Sequence, residues 1–254
     1  MSDSTRVAAI IPAKDEAEFV AATVRACRAI PLVDLVLVVD DGSEDDTQHV
    51  ARSAGAVVVR HSVNRGKASA METGGSVVAM RDIEGRQPRL LLFVDGDLGE
   101  SATSLAALVG PVARGEVDLT IGAIPGLFAR GAADRLARRA IQRATGWIPS
   151  QPLSGQRCLT REVFAMASPL SRGWGADVGM TIDVLTAGHT VQEIACDIRH
   201  RPANERSSSA AQYRDIALAA AARRMRGVRA PREVTGRERA GQPAVGEPYS
   251  VAYT

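Results

Sequence analysis

Apolar runs alternate with amphipathic stretches along the N-terminal part of the chain. Positions 7–11 (VAAII) form a short apolar run that ends at Pro12 and predicts a buried strand. Over 16–30, Phe19, Val20, Val24 and Cys27 recur at helical spacing, and Pro31 marks the stop. A second strand is predicted over 35–39 (LVLVV). It runs into Asp40-Asp41-Gly42-Ser43, and a short helix follows to Ala54, closed by Gly55. A third strand is predicted at 56–59, then the turn Asn64-Arg65-Gly66 and a helix over 67–80. The next strand, 90–94 (LLLFV), ends in Asp95-Gly96-Asp97. Apolar runs without alternation, separated by helices, mean parallel strands covered on both faces. The pattern therefore predicts an α/β fold, a mostly parallel doubly wound sheet with helices on both faces.

The second half is less regular. Strands are predicted over 118–124 and 191–198, and helices over 132–144, 161–167, 177–187 and 209–225. The helix over 132–144 sets Ala133, Leu136, Ala137, Ala140, Ile141 and Ala144 on one face and Arg135, Arg138, Arg139 and Arg143 on the other. The helix over 209–225 carries a basic end of Arg223, Arg224 and Arg226. Pro, Gly and Arg without periodicity predict a flexible tail over 227–254.

Composition narrows the class. With 45% hydrophobic and 24% charged residues among 254, the chain is neither disordered nor fibrous. A net charge of +2 gives no reason to expect nucleic acid as a partner. No apolar run reaches the roughly 18 residues of a membrane span, and MSDSTR lacks the signature of a secretory signal. Cys27, Cys158 and Cys196 are far apart in apolar surroundings. They read as buried thiols of a reducing compartment, so a cytoplasmic protein is expected.

Ligands of doubly wound sheets bind beyond the carboxyl ends of the strands. There the sequence places Pro12-Ala13-Lys14-Asp15-Glu16, Asp40-Asp41-Gly42-Ser43, the 64–67 turn and Asp95-Gly96-Asp97. Two carboxylates leaving a buried strand can meet a hard divalent cation, Mg²⁺ or Mn²⁺, and the phosphates it carries. The bland reading is a solvated turn. An aspartyl-nucleophile phosphohydrolase also places D-x-D after an apolar strand and stays open. An EF-hand and a Walker motif do not, since Ala106 and Ala68 stand where Glu and Ser/Thr are needed. Gly66-Lys67 at a helix start can meet an anion. At 40–43 a carboxylate can accept from ribose or base, and helix capping by Ser43 or Asp45 can hold at the same time. Asp177 can cap its helix or face sugar hydroxyls. His200, flanked by Arg199 and Arg201, suits a neutral imidazole able to ligate metal.

The ordered motifs IIPAKDE, LVLVVDDGSEDDT, NRGKASAM and LLFVDGDL resemble nucleotide-sugar glycosyltransferases of the GT-A type, in particular the large family-2 set, over residues 7–124. The later pieces LARRA, QPLSGQRCLTREVF, RGWGADVGMTIDVL and IRHRP resemble the glucosyl-3-phosphoglycerate synthases, extending the similarity to residue 226. The resemblance implies one GT-A domain over 1–226, with a nucleotide-sugar half (1–124) and an acceptor half (125–226). It implies that Pro12, Ala13, Glu16 and Asp41 line the base and ribose pocket and that Lys67 sits near the nucleotide. Asp95 and Gly96 would meet the ribose, Asp97 and His200 the divalent cation, and Asp177 the donor sugar. Leu153, Ser154 and Gly155, with Arg201, would flank the acceptor. Catalysis would fall to Asp97, Asp177 and Lys67. The donor would be a nucleoside-diphosphate sugar, with uridine the expected base, and the course retaining. Inversion onto a polyprenyl phosphate is the alternative. Gly131 and Ala133 stand where those synthases grip their acceptor with arginine and threonine, and Pro202 and Ala203 replace an Asn and Arg. The expected acceptor is thus a small phosphorylated molecule, a specialised metabolite or a lipid phosphate. The basic helix faces suit acceptor capture or weak contact with an anionic membrane, against a plain solvated surface. A homodimer stays open.

Overall fold

The computed structural model describes residues 5–127, 131–200, 209–228 and 242–251. Arg201 and the adjoining positions up to 208 lie outside the described residues. The N-terminal part alternates strand and helix: β1 (Val7–Ala13), α1 (Val20–Arg28), β2 (Val33–Asp40), α2 (Thr47–Ser53), β3 (Val57–Arg60), α3 (Lys67–Arg81) and β4 (Leu90–Phe93). A 3₁₀ segment (Gly99–Leu105) leads into α4 (Ala106–Ala113). Then come β5 (Leu119–Ala123), α5 (Ala132–Thr145), β6 (Arg157–Leu159), α6 (Arg161–Ala167), α7 (Gly175–Thr186), β7 (Val191–Ala195), α8 (Ser209–Met225) and β8 (Pro248–Tyr249).

The strands form one sheet in the order β3-β2-β1-β4-β6-β5-β7-β8. The pairs β1–β2, β1–β4, β2–β3 and β5–β7 are parallel. β6 is antiparallel to both β4 and β5, and β8 is antiparallel to β7. Alternate residues of one strand serve opposite cores. Ala8, Ile10, Leu91 and Phe93 pack with the residues of α3 and α5–α8, whereas Val7, Ala9, Ile11, Leu90 and Leu92 pack with those of α1, α2 and α4. Both faces being dry, the strands read as unbroken apolar runs. Helix α3 lies close on β1 because Gly74 has no Cβ to collide with the Ile10 side chain.

Three expectations are corrected. The tail predicted as flexible from 227 onward is ordered over 242–251. There β8 pairs with β7, Tyr249 is 5% exposed, its hydroxyl donates to the Thr145 carbonyl at 2.7 Å, and its ring stacks on Trp147 at 5.9 Å. Arg138 does not belong to a solvated face of α5: it is buried and donates to the Pro149 and Ser150 carbonyls. Arg223 of α8 is buried as well, paired with Asp183 and donating to Ser171 Oγ at 2.8 Å. In all three cases the partners lie outside the element itself: a backbone carbonyl and the Trp147 ring for Tyr249, two backbone carbonyls for Arg138, and the Asp183 and Ser171 side chains for Arg223. No helix among the described residues is long and apolar enough to cross a membrane.

Candidate functional site

The acidic strand ends converge because β1 is the neighbour of both β2 and β4. The segment after β1 is laced to the segment after β2. Asp15 N donates to Ser43 Oγ at 3.0 Å, Glu16 N to Thr47 Oγ1 at 2.8 Å, and Ala17 N to Asp45 Oδ2 at 3.0 Å. Asp45 also serves α2, its Oδ1 accepting from Thr47 N at 3.0 Å, while the N-cap Asp46 makes no side-chain cap bond. On the other side, Gly96 packs against Glu16 and Ala13, and its carbonyl accepts from Thr23 Oγ1 at 2.9 Å. Pro12, Ala13, Glu16, Asp95 and Gly96 therefore stand together beyond the carboxyl ends of β1 and β4.

Asp41, expected beside the base or ribose, is buried, and its carboxylate accepts from Arg65 N at 2.8 Å, from Gly66 N at 2.7 Å and from His61 Nδ1 at 2.7 Å. His61 is in turn bonded through Nε2 to Thr73 Oγ1 at 2.9 Å. The pair braces the turn that launches α3, and so fixes Lys67 at its first residue. The sequence carried no signal for His61 beyond its position after β3.

Lys67, 33% exposed, meets Asp95 Oδ1 at 2.5 Å. Burial alone would lower its ammonium pKa, but the carboxylates of Asp95 and then Asp177 outweigh this and hold it above the ordinary value. Burial alone would likewise raise Asp95, yet Lys67 and then His200 keep it below the usual range. The second oxygen of Asp95 accepts from Gln156 Nε2 at 2.5 Å, while Gln156 Oε1 accepts from Asp95 N at 3.0 Å. With both oxygens occupied, Asp95 is poorly placed to attack phosphorus, which argues against the phosphohydrolase reading. Gly155 lies over this clasp, where any Cβ would strike Lys67 Nζ.

Two residues further, Asp97 Oδ1 lies 3.3 Å from His200 Nδ1. That bond raises the His200 pKa against partial burial. Ligand atoms of Asp95, Asp97 and His200 all lie within 4.8 Å of one another. Two carboxylates and one imidazole form an oxygen-rich set that fits Mn²⁺ or Mg²⁺. Asp177 sits in the first turn of α7, which starts after the N-cap Trp174, so it caps nothing. It is 4% exposed, and Arg157 Nε faces its Oδ1 at 3.3 Å. Burial raises its pKa, opposed by Lys67 and Arg157. Leu153, Ser154 and Gly155 lie on the loop entering β6, with Ser154 Oγ donating to the Gly122 carbonyl at 2.6 Å. Gly131 is exposed and Ala133 buried, and neither has a polar side chain for an acceptor. Of the expected acceptor-side residues, Arg201 is outside the described residues.

The chain has relatives among known proteins. The chain is 33% identical over 191 residues to the glycosyltransferase AglJ of Haloferax volcanii, covering 72% of this chain and 59% of that protein. It is 28% identical over 197 residues to glucosyl-3-phosphoglycerate synthase of Mycolicibacterium paratuberculosis, covering 70% and 59%. It thus spans 59% of the length of each of these two relatives. A solved glucosyl-3-phosphoglycerate synthase of Mycobacterium tuberculosis, in complex with Mn²⁺, UDP and glucosyl-3-phosphoglycerate, matches with a TM-score of 0.67 at 25% identity over 86% of this chain and 80% of that one. The same enzyme with Mg²⁺ and UDP matches with a TM-score of 0.71 at 24% identity, over 86% and 79%. The fold is of the GT-A type. The family-2 glycosyl transferase model matches residues 8–169, from the first strand through the clasped Asp95-Gly96-Asp97 turn to α6, and on that span the chain belongs to glycosyl transferase family 2.

Proposed function

We propose that the protein transfers a sugar from a UDP-sugar to a small phosphorylated acceptor, with Mg²⁺ or Mn²⁺ held at Asp97 and His200. The observation that carries this reading is the cluster of Asp95, Asp97 and His200 ligand atoms within 4.8 Å, at the carboxyl edge of a parallel sheet and beside Lys67. The uridine and phosphorylated-acceptor parts draw support from the relatives, which use UDP and phosphoglyceric acid. The bound cation would supply Lewis-acid neutralisation of the diphosphate.

The chain's own residues do the rest. Lys67 brings a fixed positive charge to the departing diphosphate in a partly dry cleft, where it acts more strongly than in water. Asp95, held by Lys67 and Gln156, and Gly96 beside it meet the ribose. Pro12, Ala13 and Glu16 form the wall for the base. Asp177 holds donor-sugar hydroxyls, and Leu153, Ser154 and Gly155 flank the anomeric carbon. The bond from C1 to the diphosphate oxygen breaks, and the acceptor hydroxyl oxygen takes C1. The acceptor proton passes to the departing oxygen on the same face, which gives retention. Asp177 is engaged by Arg157 and so suits orientation better than proton abstraction. Because Gly131 and Ala133 offer no polar grip, the acceptor's anionic group is expected elsewhere on the acceptor half.

The test is thermal shift and turnover with UDP-sugars, with and without Mn²⁺, for wild type and Asp97→Ala. Ligand stabilisation grows as RT ln(1 + [L]/Kd). Wild type should be stabilised by UDP only with metal present, and Asp97→Ala should keep its melting temperature without ligand while losing both the shift and turnover. Normal turnover in Asp97→Ala overturns the reading. Proton NMR of the product's anomeric centre reads the stereochemical course.

A further inference from the structure

Between the Asp95 clasp and Asp177 lies a guanidinium that donor and metal binding do not account for. Arg157 has no solvent exposure and is the largest side chain so buried. It sits on β6, opposite Phe93 of β4 and Ile121 of β5. Its Nε donates to the Ser154 carbonyl at 3.0 Å and faces Asp177 Oδ1 at 3.3 Å. Its Nη1 donates to Thr181 Oγ1 at 3.0 Å, and that hydroxyl donates to the Asp177 carbonyl at 2.9 Å. A buried guanidinium is strongly unfavourable unless charges and hydrogen bonds compensate it. Here the hydrogen bonds come from the two pieces that border the sugar site, Glu193 of β7 adds a second opposite charge, and Nη2 is left without a hydrogen-bond partner among the described residues. Asp177 Oδ1 has no hydrogen-bond partner and meets only this ion pair.

The loop before β6 is pinned by other buried groups as well. Glu193 of β7 accepts from Ser150 N at 2.9 Å and from Gln151 N at 3.0 Å. Arg138 of α5 donates to the Pro149 carbonyl at 2.8 Å and to the Ser150 carbonyl at 2.9 Å. Arg157, in contrast, hydrogen-bonds the loop and α7 together. Two packed surfaces held by a single planar donor keep one spacing, and sub-ångström spacing decides how well a bound sugar meets its acceptor.

We propose that Arg157 is a positioning residue of this site: it ties the Ser154 carbonyl, in the loop that lays Gly155 over Lys67 and Asp95, to the Asp177 carboxylate of α7, so that loop and acid close on the donor sugar at a fixed distance. It touches neither donor nor acceptor. The proposal rests on Asp177 being the sugar-holding carboxylate of the preceding reading. Lysine cannot replace it, because a point charge on a flexible stem cannot reach a carbonyl, a hydroxyl and a carboxylate at once.

The test compares wild type, Arg157→Lys and Arg157→Gln in full-length protein. UDP and Mn²⁺ binding are measured by calorimetry, and kcat and KM for the UDP-sugar across pH. Asp177 is surrounded by Lys67 from α3, Arg157 from β6 and Asp95 after β4, while Glu193 of β7 faces Arg157. Arg223 of α8 is engaged by Asp183, and Asp215 of α8 faces Gly173. Folded Arg157→Lys should bind UDP and Mn²⁺ within threefold of wild type while its kcat falls at least tenfold. In Arg157→Gln the acid limb of kcat should move to higher pH, and Arg157→Lys should bring it back toward wild type without restoring kcat. A folded Arg157→Lys with kcat within twofold of wild type overturns the proposal, whatever the glutamine variant does. So does an unmoved acid limb in a folded Arg157→Gln. A wild type that neither binds UDP nor turns over a UDP-sugar overturns the preceding reading and this one with it, whereas an active wild type beside an unaffected Arg157→Lys overturns this proposal alone.

Discussion

Asp95 illustrates how far a residue's role depends on neighbours that the sequence does not place beside it. The motif promised two carboxylates for one ligand. The folded chain keeps their ligand atoms within 4.8 Å of each other but gives them different partners: Asp95 is clasped by Lys67 and Gln156, and Asp97 meets His200. Gln156 lies 61 positions from Asp95 and was legible only as part of a small-residue loop. Because Gln156 offers both an amide donor and a carbonyl acceptor, it matches the Asp95 carboxylate and backbone N–H together. Gln156→Glu places a second carboxylate there, and repulsion between like charges follows. We expect kcat/KM to fall about thirtyfold, equivalent to about 2 kcal/mol, with the melting temperature lowered by a few degrees. Unchanged kinetics in that variant would show that Asp95 needs no such clasp. Asp41 makes the same point in reverse. Expected beside the base or ribose, it also braces the turn before Lys67, its carboxylate accepting from two backbone amides and an imidazole.

Among the elements, those with a helical period or an apolar run were legible, and the two shortest strands and a helix interrupted by Gly and Pro were not. Helices α6 and α8 occupy the predicted ranges, and β2, α3 and α5 differ only at their ends. Such segments bury a periodic face, and periodicity is a property of sequence. Strand β6 has three residues and β8 has two, too few for any period to show. The helix α4 carries Pro111 and Gly110, which mask it as a loop. β8 exists because Tyr249 finds Trp147 and the Thr145 carbonyl, and Gln242 caps the end of α5 through the Gly146 carbonyl at 3.0 Å. Tyr249→Phe should therefore cost about 1 kcal/mol in urea unfolding, the worth of one buried hydrogen bond, with turnover preserved. A variant as stable as wild type would mean that the hydroxyl contributes nothing to holding the C-terminal strand.

Across the whole molecule the three cysteines test the burial directly. All are free and buried. Desolvation pushes the thiols of Cys27 and Cys158 up to about 12 and that of Cys196 up to about 11, from an ordinary 9.0. The folded state then holds these protons more tightly than the unfolded state. Their contribution to stability is complete below pH 9.0 and is lost as pH rises toward the folded values. Each thiol should cost about 1.4 kcal/mol per pH unit in that window. Urea unfolding between pH 9 and 11 should show this slope, reduced in Cys158→Ala, and Ellman's reagent should find no thiol in the native protein at pH 8. A native protein that reacts at once would contradict the burial of the core packed on α1, α2 and α4, to which all three belong.

The sequence by itself determined the doubly wound α/β class, the acidic strand ends and the family to which they belong. Those follow from apolar runs and local motifs, whose information is contiguous in the chain. Only the tertiary structure decided which carboxylate is clasped and which faces His200, that Arg138, Arg157 and Arg223 are interior, and that the C-terminal stretch completes the sheet. Each of those outcomes depends on partners far apart in sequence. A buried charge or a two-residue strand is stable only where distant groups meet it, and no local pattern records that meeting.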